Sequence, residues 1–164
     1  MPCNGGAGIE RCGLFMEDRY LFRGMRCELS KVPYGDGWVI GSLVEMPASF
    51  HKSGHAIVQG NRYVYDDVDS KTIGQCTGRK DRNGRLIFEG DILKYTREDI
   101  SSVEVLGFVE YCGKKMGWYM NCDGSYKKLY GEGSVSYDDC ELEVTGNIYQ
   151  HPDILDEFYK FCQF

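Results

Sequence analysis

Residues 77–91, TGRKDRNGRLIFEGD, set four cations, Arg79, Lys80, Arg82 and Arg85, around an Asn-Gly pair and end on two carboxylates. Three chemistries would use such a segment: a phosphate cradle, a calcium loop and a nucleic-acid contact. A phosphate loop needs Lys and then Ser or Thr directly after its second Gly, whereas Gly84 is followed by Arg85 and Leu86. A calcium loop with Asp81, Asn83 and Gly84 at its third, fifth and sixth positions would begin on Arg79, where the ion needs an oxygen. The spacing instead predicts a β-hairpin with a type I′ turn at Asn83-Gly84, two residue types that tolerate positive φ. Gly90 then bends the chain, with Glu89 and Asp91 facing water. Paired-carboxylate catalysis would need a partner base and a cleft that nothing in the sequence places beside them.

A second constellation follows at 111–130. Lys114, Lys115, Lys127 and Lys128 interleave with Tyr111, Trp118, Tyr119, Tyr126 and Tyr130, the residue mix that stacks bases and neutralises phosphates. The competing reading puts the aromatics in a core and the lysines in turns. Burial of Trp118 and Tyr119 would leave the lysines without a stacking platform. His51 and His55 have the spacing of metal ligands on a helix, but Gly54 and its polar neighbours argue against a helix there. His151, just before Pro152, reads as a cap or packing residue. There is no G-x-S-x-G elbow, and no Cys-His pair can be picked out. No catalytic residue, metal ligand or cofactor is assigned, and the expectation is a protein that is not an enzyme.

The elements that must position these residues read as strands. Twelve Tyr, eight Phe, two Trp and twenty-one Gly favour strands and tight turns over long helices. A chain of 164 residues buries roughly 70% of its unfolded surface on folding, so a real core is available. The net charge of −6 argues against a generally basic nucleic-acid binder. No apolar run approaches the ~20 residues that span a bilayer, and the first residues lack a signal-peptide core. The expectation is a soluble, non-exported chain. The eight cysteines, at 3, 12, 27, 76, 112, 122, 140 and 162, include no C-x-x-C pair, so they read as reduced, largely buried thiols.

Three regions follow. Residues 1–15 form a Gly-rich, flexible N-terminal extension, with Met16 as an alternative start. Residues 16–76 form an N-terminal β region of hairpins built from RYLFRGM, GWVIGSLVEM, HAIVQG and RYVYDDV, with a turn at Gly60-Asn61 and a solvated acidic turn at Asp66, Asp67 and Asp69. Residues 77–164 hold short, evenly spaced strands that predict an SH3-like small barrel. Their tail, HPDILDEFYKFCQF, predicts one helix, with Pro152 in its first turn and Ile154, Leu155, Phe158, Tyr159 and Cys162 on one face. The fold class is mainly β (α+β), with the helix plugging the barrel or capping a sheet.

The order of RYLFRGM, GWVIGSLVE, SKTIGQCTGRKDRNGRLIFEGDIL, GFVEY and ELEVTGNIYQHPDIL, spanning about 20–155, resembles the YopX family of phage- and prophage-encoded proteins. That resemblance implies a mainly β protein that assembles as a symmetric homo-oligomer and acts in the cytoplasm of a bacterial host. It carries over no catalytic residue. The expected function is a non-enzymatic accessory protein acting on the host, sequestering a small nucleotide signal or binding a host defence protein. Its contacts would come from Arg79, Lys80, Arg82 and Arg85 of the hairpin and Lys114, Lys115, Trp118 and Tyr119 of the barrel. One alternative is a nucleic-acid-binding accessory protein of phage replication or gene control. Another is a structural homo-oligomer without a ligand.

Overall fold

The structure is a computed structural model that describes residues 18–27, 37–47, 49, 53–60, 65–97, 103–129 and 142–162. The N-terminal extension, Met16, His51, Asn61 of the Gly60-Asn61 turn and Tyr130 lie outside the described residues.

Two antiparallel sheets carry the chain. The first contains β1 (Phe22–Met25), β2 (Trp38–Glu45), β3 (His55–Val58), β4 (Tyr65–Asp67), β5 (Gly74–Lys80) and β6 (Leu86–Phe88), in the order β4-β3-β2-β1-β5-β6. The second contains β7 (Asp91–Arg97), β8 (Val103–Cys112), β9 (Gly117–Cys122), β10 (Ser125–Lys128) and β11 (Leu142–Asn147), in the order β10-β9-β8-β7-β11. Period-two alternation sets the faces: in β2, Val39 and Gly41 are buried while Ile40 and Ser42 are exposed. Val39, Ile57 and Val68 form the smaller core, packed by Phe22, Leu43 and Ile73. The larger core takes Leu93 and Tyr95 from β7, Val109 from β8, Met120 from β9, and Leu142 and Val144 from β11. Ile87 of β6 is fully buried in that second core, so the last hairpin of the first sheet packs into the second.

The second sheet is open. Its edge strands β10 and β11 do not pair with each other among the described residues, so the SH3-like barrel expected from strand spacing is not closed. The edge of β11 is instead met by the β5–β6 hairpin: Arg82 N donates to Leu142 O at 2.9 Å, and Val144 N donates to the Asp81 carboxylate at 3.1 Å. A hairpin that satisfies these edge groups removes the demand that would draw the sheet into a cylinder.

The change of sheet falls at Glu89-Gly90, between β6 and β7. Gly90 sits at φ +82°, and a Cβ there would lie 2.8 Å from the Tyr149 ring. Its N donates to Val109 O and its O accepts from Ile148 N, at 2.8 and 2.9 Å, so the crossing is tied on both sides.

The Asn-Gly hairpin forms, but with a different turn. Only Gly84 has positive φ (+77°), and Gly84 N donates to Asp81 O at 2.9 Å. This is a type I turn followed by a left-handed glycine in a three-residue loop. Asp81 selects it: one carboxylate oxygen accepts from Asn83 N and Arg85 N at 2.9 Å each, a pattern that holds Asn83 out of the left-handed region. The acidic cluster is also more than a solvated turn. Asp66 pairs with Arg26 at 2.8 Å, Asp67 accepts from the Ser53 hydroxyl, and Asp69 caps a 3-10 turn through Lys71 N at 3.0 Å.

Helix α1 (Pro152–Cys162) follows the sequence expectation, with Leu155 buried and Ile154, Phe158 and Tyr159 half-buried. It packs toward β8 and β9, where the Tyr159 hydroxyl accepts from Asp123 N at 3.0 Å. No helix is long and apolar enough to cross a membrane among the described residues.

Candidate functional site

Where the two sheets meet, β1 and β2 place Arg23 and Trp38 against β6 and the start of β7. The Arg23 guanidinium lies 4.6 Å from the Trp38 ring centroid and 4.9 Å from that of Phe88, a cation held between two aromatic faces. Its Nη1 stands 2.6 Å from Asp91 Oδ1, and its Nη2 donates to Glu89 O at 3.4 Å. Asp91 Oδ2 accepts from Phe88 N at 2.8 Å. The Arg23 Nε is buried with no hydrogen-bond partner among the described residues.

Asp91 is therefore not the water-facing acid expected from its loop: it is 1% exposed. The chain dives between the sheets directly after Gly90, which carries the carboxylate inward, and Arg23 from a distant strand compensates it. Burial pushes the Asp91 carboxyl above the ordinary carboxylate value, and the Arg23 charge only partly offsets this. Glu89, half-buried rather than solvated, is also raised by desolvation.

Above this pair opens a cleft of about 380 Å³. Trp38, Ile40 and Leu86 line it together with Val144, Gly146 and Asn147 of β11. The turn after β11 is fixed by Asn147, whose Oδ1 accepts from Tyr149 N and Gln150 N at 3.1 and 2.9 Å. Gln150 Oε1 accepts from both Trp38 Nε1 at 2.7 Å and Asn147 Nδ2 at 3.0 Å, a polar bridge from sheet to turn. His151 Nδ1 accepts from Asn147 N at 3.4 Å, which leaves Nε2–H as the ring's donor. The ring packs on Gly146, where a Cβ would lie 3.0 Å from Nδ1.

Of the four hairpin cations, only Arg85 lines this cleft. It is exposed, and its Nη1 makes one long bond to Val144 O at 3.4 Å. Arg79 is 5% exposed and donates to Leu129 O, so it is a buried structural cation rather than a ligand contact. Alternation in β5 turns it inward. Arg82 pairs with Glu143 at 2.6 Å, and Lys80 is exposed on the strand's other face.

The second constellation lies apart, on β8 to β10. Tyr119 is 9% exposed and Trp118 is half-buried, packed against the larger core. Lys115 Nζ lies 5.0 and 4.8 Å from the Tyr119 and Tyr126 ring centroids, so those rings already hold a cation. Lys114 is exposed, as are Tyr111 and Tyr126. Hydrogen bonding to Glu110 raises the Tyr126 hydroxyl above its ordinary value.

Sequence reasoning missed Arg23, Trp38, Asn147 and Gln150 as site residues. The spacing of these residues carries no motif, because topology alone joins them. The thiols are not largely buried as expected: of Cys27, Cys76, Cys112 and Cys122 only Cys76 is buried. Desolvation raises Cys76 and Cys122, which makes neither an activated nucleophile.

The family model described as YopX protein matches residues 21–156. No curated protein matches the chain. Among solved structures, the chain is similar to the crystal structure of protein EF1440 from Enterococcus faecalis, with 21% identity and a TM-score of 0.35. That match covers 71% of this chain and 90% of the other.

Proposed function

From the premise that the chain belongs to the YopX family, we propose that it is a phage- or prophage-encoded binding protein without catalytic activity. In this reading it works in the bacterial host cytoplasm as a homo-oligomer and sequesters a small nucleotide-type ligand in the cleft between its sheets. The supporting observation is the cleft itself. Its volume, about 380 Å³, falls within the roughly 300–1,000 Å³ of small-molecule sites, and it pairs an apolar side with a few convergent polar groups. The test is to purify the protein from infected or defence-activated cells and identify released small molecules by mass spectrometry. An empty protein that also fails to bind cyclic or ADP-ribose-type nucleotides would sink the sequestration reading and leave a host protein as the target.

A second reading, contact with single-stranded nucleic acid, is supported by the exposure of Tyr111, Tyr126 and Lys114. It predicts binding to single-stranded DNA or RNA that weakens steeply between low and physiological salt. An absence of binding at low salt removes it. Silence in both assays would favour a structural oligomer.

A further inference from the structure

The charges around the cleft define the ligand more narrowly than its size does. Arg23 and Asp91 lie 2.6 Å apart and cancel. Asp91 is the one carboxylate among the described residues lining the cleft, and Arg85 is the one cation there outside an ion pair, its charge reaching Asp91 only at longer range. The Arg85 guanidinium makes a single long carbonyl bond at 3.4 Å, yet its backbone is pinned by Asp81 on both sides, with N to Oδ1 at 2.9 Å and O to Asp81 N at 2.8 Å. His151, whose Nδ1 accepts from Asn147 N, lines the same space. In the same lining, Ile40 shows 43% of its surface to solvent, an apolar group without full cover.

Resting on the reading of the cleft as a ligand site, we infer that it selects a small ligand bearing a single negative charge beside an apolar ring. Arg85 and the His151 Nε2–H contact the anion, and Trp38, Ile40 and Leu86 receive the ring. A phosphodiester and a ring carboxylate share this chemistry. A dianion or a polyphosphate would bring its surplus charge toward Asp91 with no further cation to meet it. A neutral ligand would leave Arg85 unused.

Four probes separate the cases by titration calorimetry on the full chain: 3′,5′-cyclic AMP and anthranilate as monoanions, AMP as a dianion and ATP as a polyanion. Quenching of Trp38 emission in a Trp118→Phe background provides a second readout at the site. At least one monoanion is expected to bind roughly tenfold or more tightly than AMP and ATP, and which of the two does so identifies phosphodiester or carboxylate as the source. Arg85→Gln should weaken that probe by about tenfold or more, as loss of a charge-assisted bond does. His151→Phe should weaken it less, and both variants should keep the parent's urea midpoint. Tighter binding of AMP or ATP would overturn the single-charge inference while leaving the cleft as the site. Binding unaffected by Arg85→Gln would overturn the assigned contacts. Silence from all four probes in both readouts would overturn the cleft reading itself.

Discussion

Arg23 and Asp91 show how one ion pair can govern a junction. Asp91 is buried and Arg23 half-buried, each stabilises the other, and their removal should not be symmetric. Arg23→Met keeps much of the stem volume but strands the carboxylate, so a loss of about 3 kcal/mol is expected at pH 7. That deficit should narrow as pH falls and Asp91 takes up a proton; equal deficits at pH 4 and pH 7 in urea titrations would contradict it. Glu89 and Asp91 both bind a proton more tightly folded than unfolded. Their contribution is thus fully present below the ordinary carboxylate values of 4.5 and 3.8, and is lost as pH rises through the higher folded values. Glu89→Gln should flatten part of that decline across the acidic range, measured as the urea midpoint against pH. None of this was legible in the sequence, where the two acids flank a glycine in what reads as a surface bend. The partner cation comes from β1, and only tertiary topology brings it there.

Among the elements, the Asn-Gly hairpin was the most legible and still held a surprise. Asn-Gly signals a turn, but Asp81 decides which one by accepting two backbone N–H groups within the loop and a third from β11. In this geometry Asn83→Ala should change stability by less than about 0.5 kcal/mol, whereas Gly84→Ala should cost about 1 kcal/mol for a left-handed alanine. Equal costs would point back to the type I′ turn. Asp81→Ala should cost more than either, roughly 2–4 kcal/mol, since it orphans three donors. The helix was readable from its Pro start and apolar spacing. Barrel closure was not, because strand spacing says nothing about which edge another hairpin will cover. Arg79 was misread for a related reason: charge marked it as a contact, while the register of β5 turned it into the interior.

At the scale of the molecule, Ile87 sits on β6 of the first sheet yet is buried in the core of the second. The two sheets should then unfold together. Trp38 reports on the first and Trp118 on the second, so Trp118→Phe and Trp38→Phe variants should show coincident fluorescence transitions in urea, each matching circular dichroism. Separated midpoints would mean the sheets are independent. Ile87→Ala should lower both transitions, by about 2–5 kcal/mol. The proposed homo-oligomer predicts native masses at multiples of 18.7 kDa.

The bond from Val144 N to Asp81 spans 63 residues, and it gives the molecule an order in time. On the ribosome, the hairpin that carries Arg85 emerges long before the strand that secures it, and the opposite wall of the cleft, with Gln150 and His151, emerges later still. A nascent chain halted before residue 142 therefore carries the cationic turn without the cleft. Under the proposed reading, competence to hold a ligand arrives late in synthesis, and prematurely terminated chains would not compete with the finished protein for that ligand.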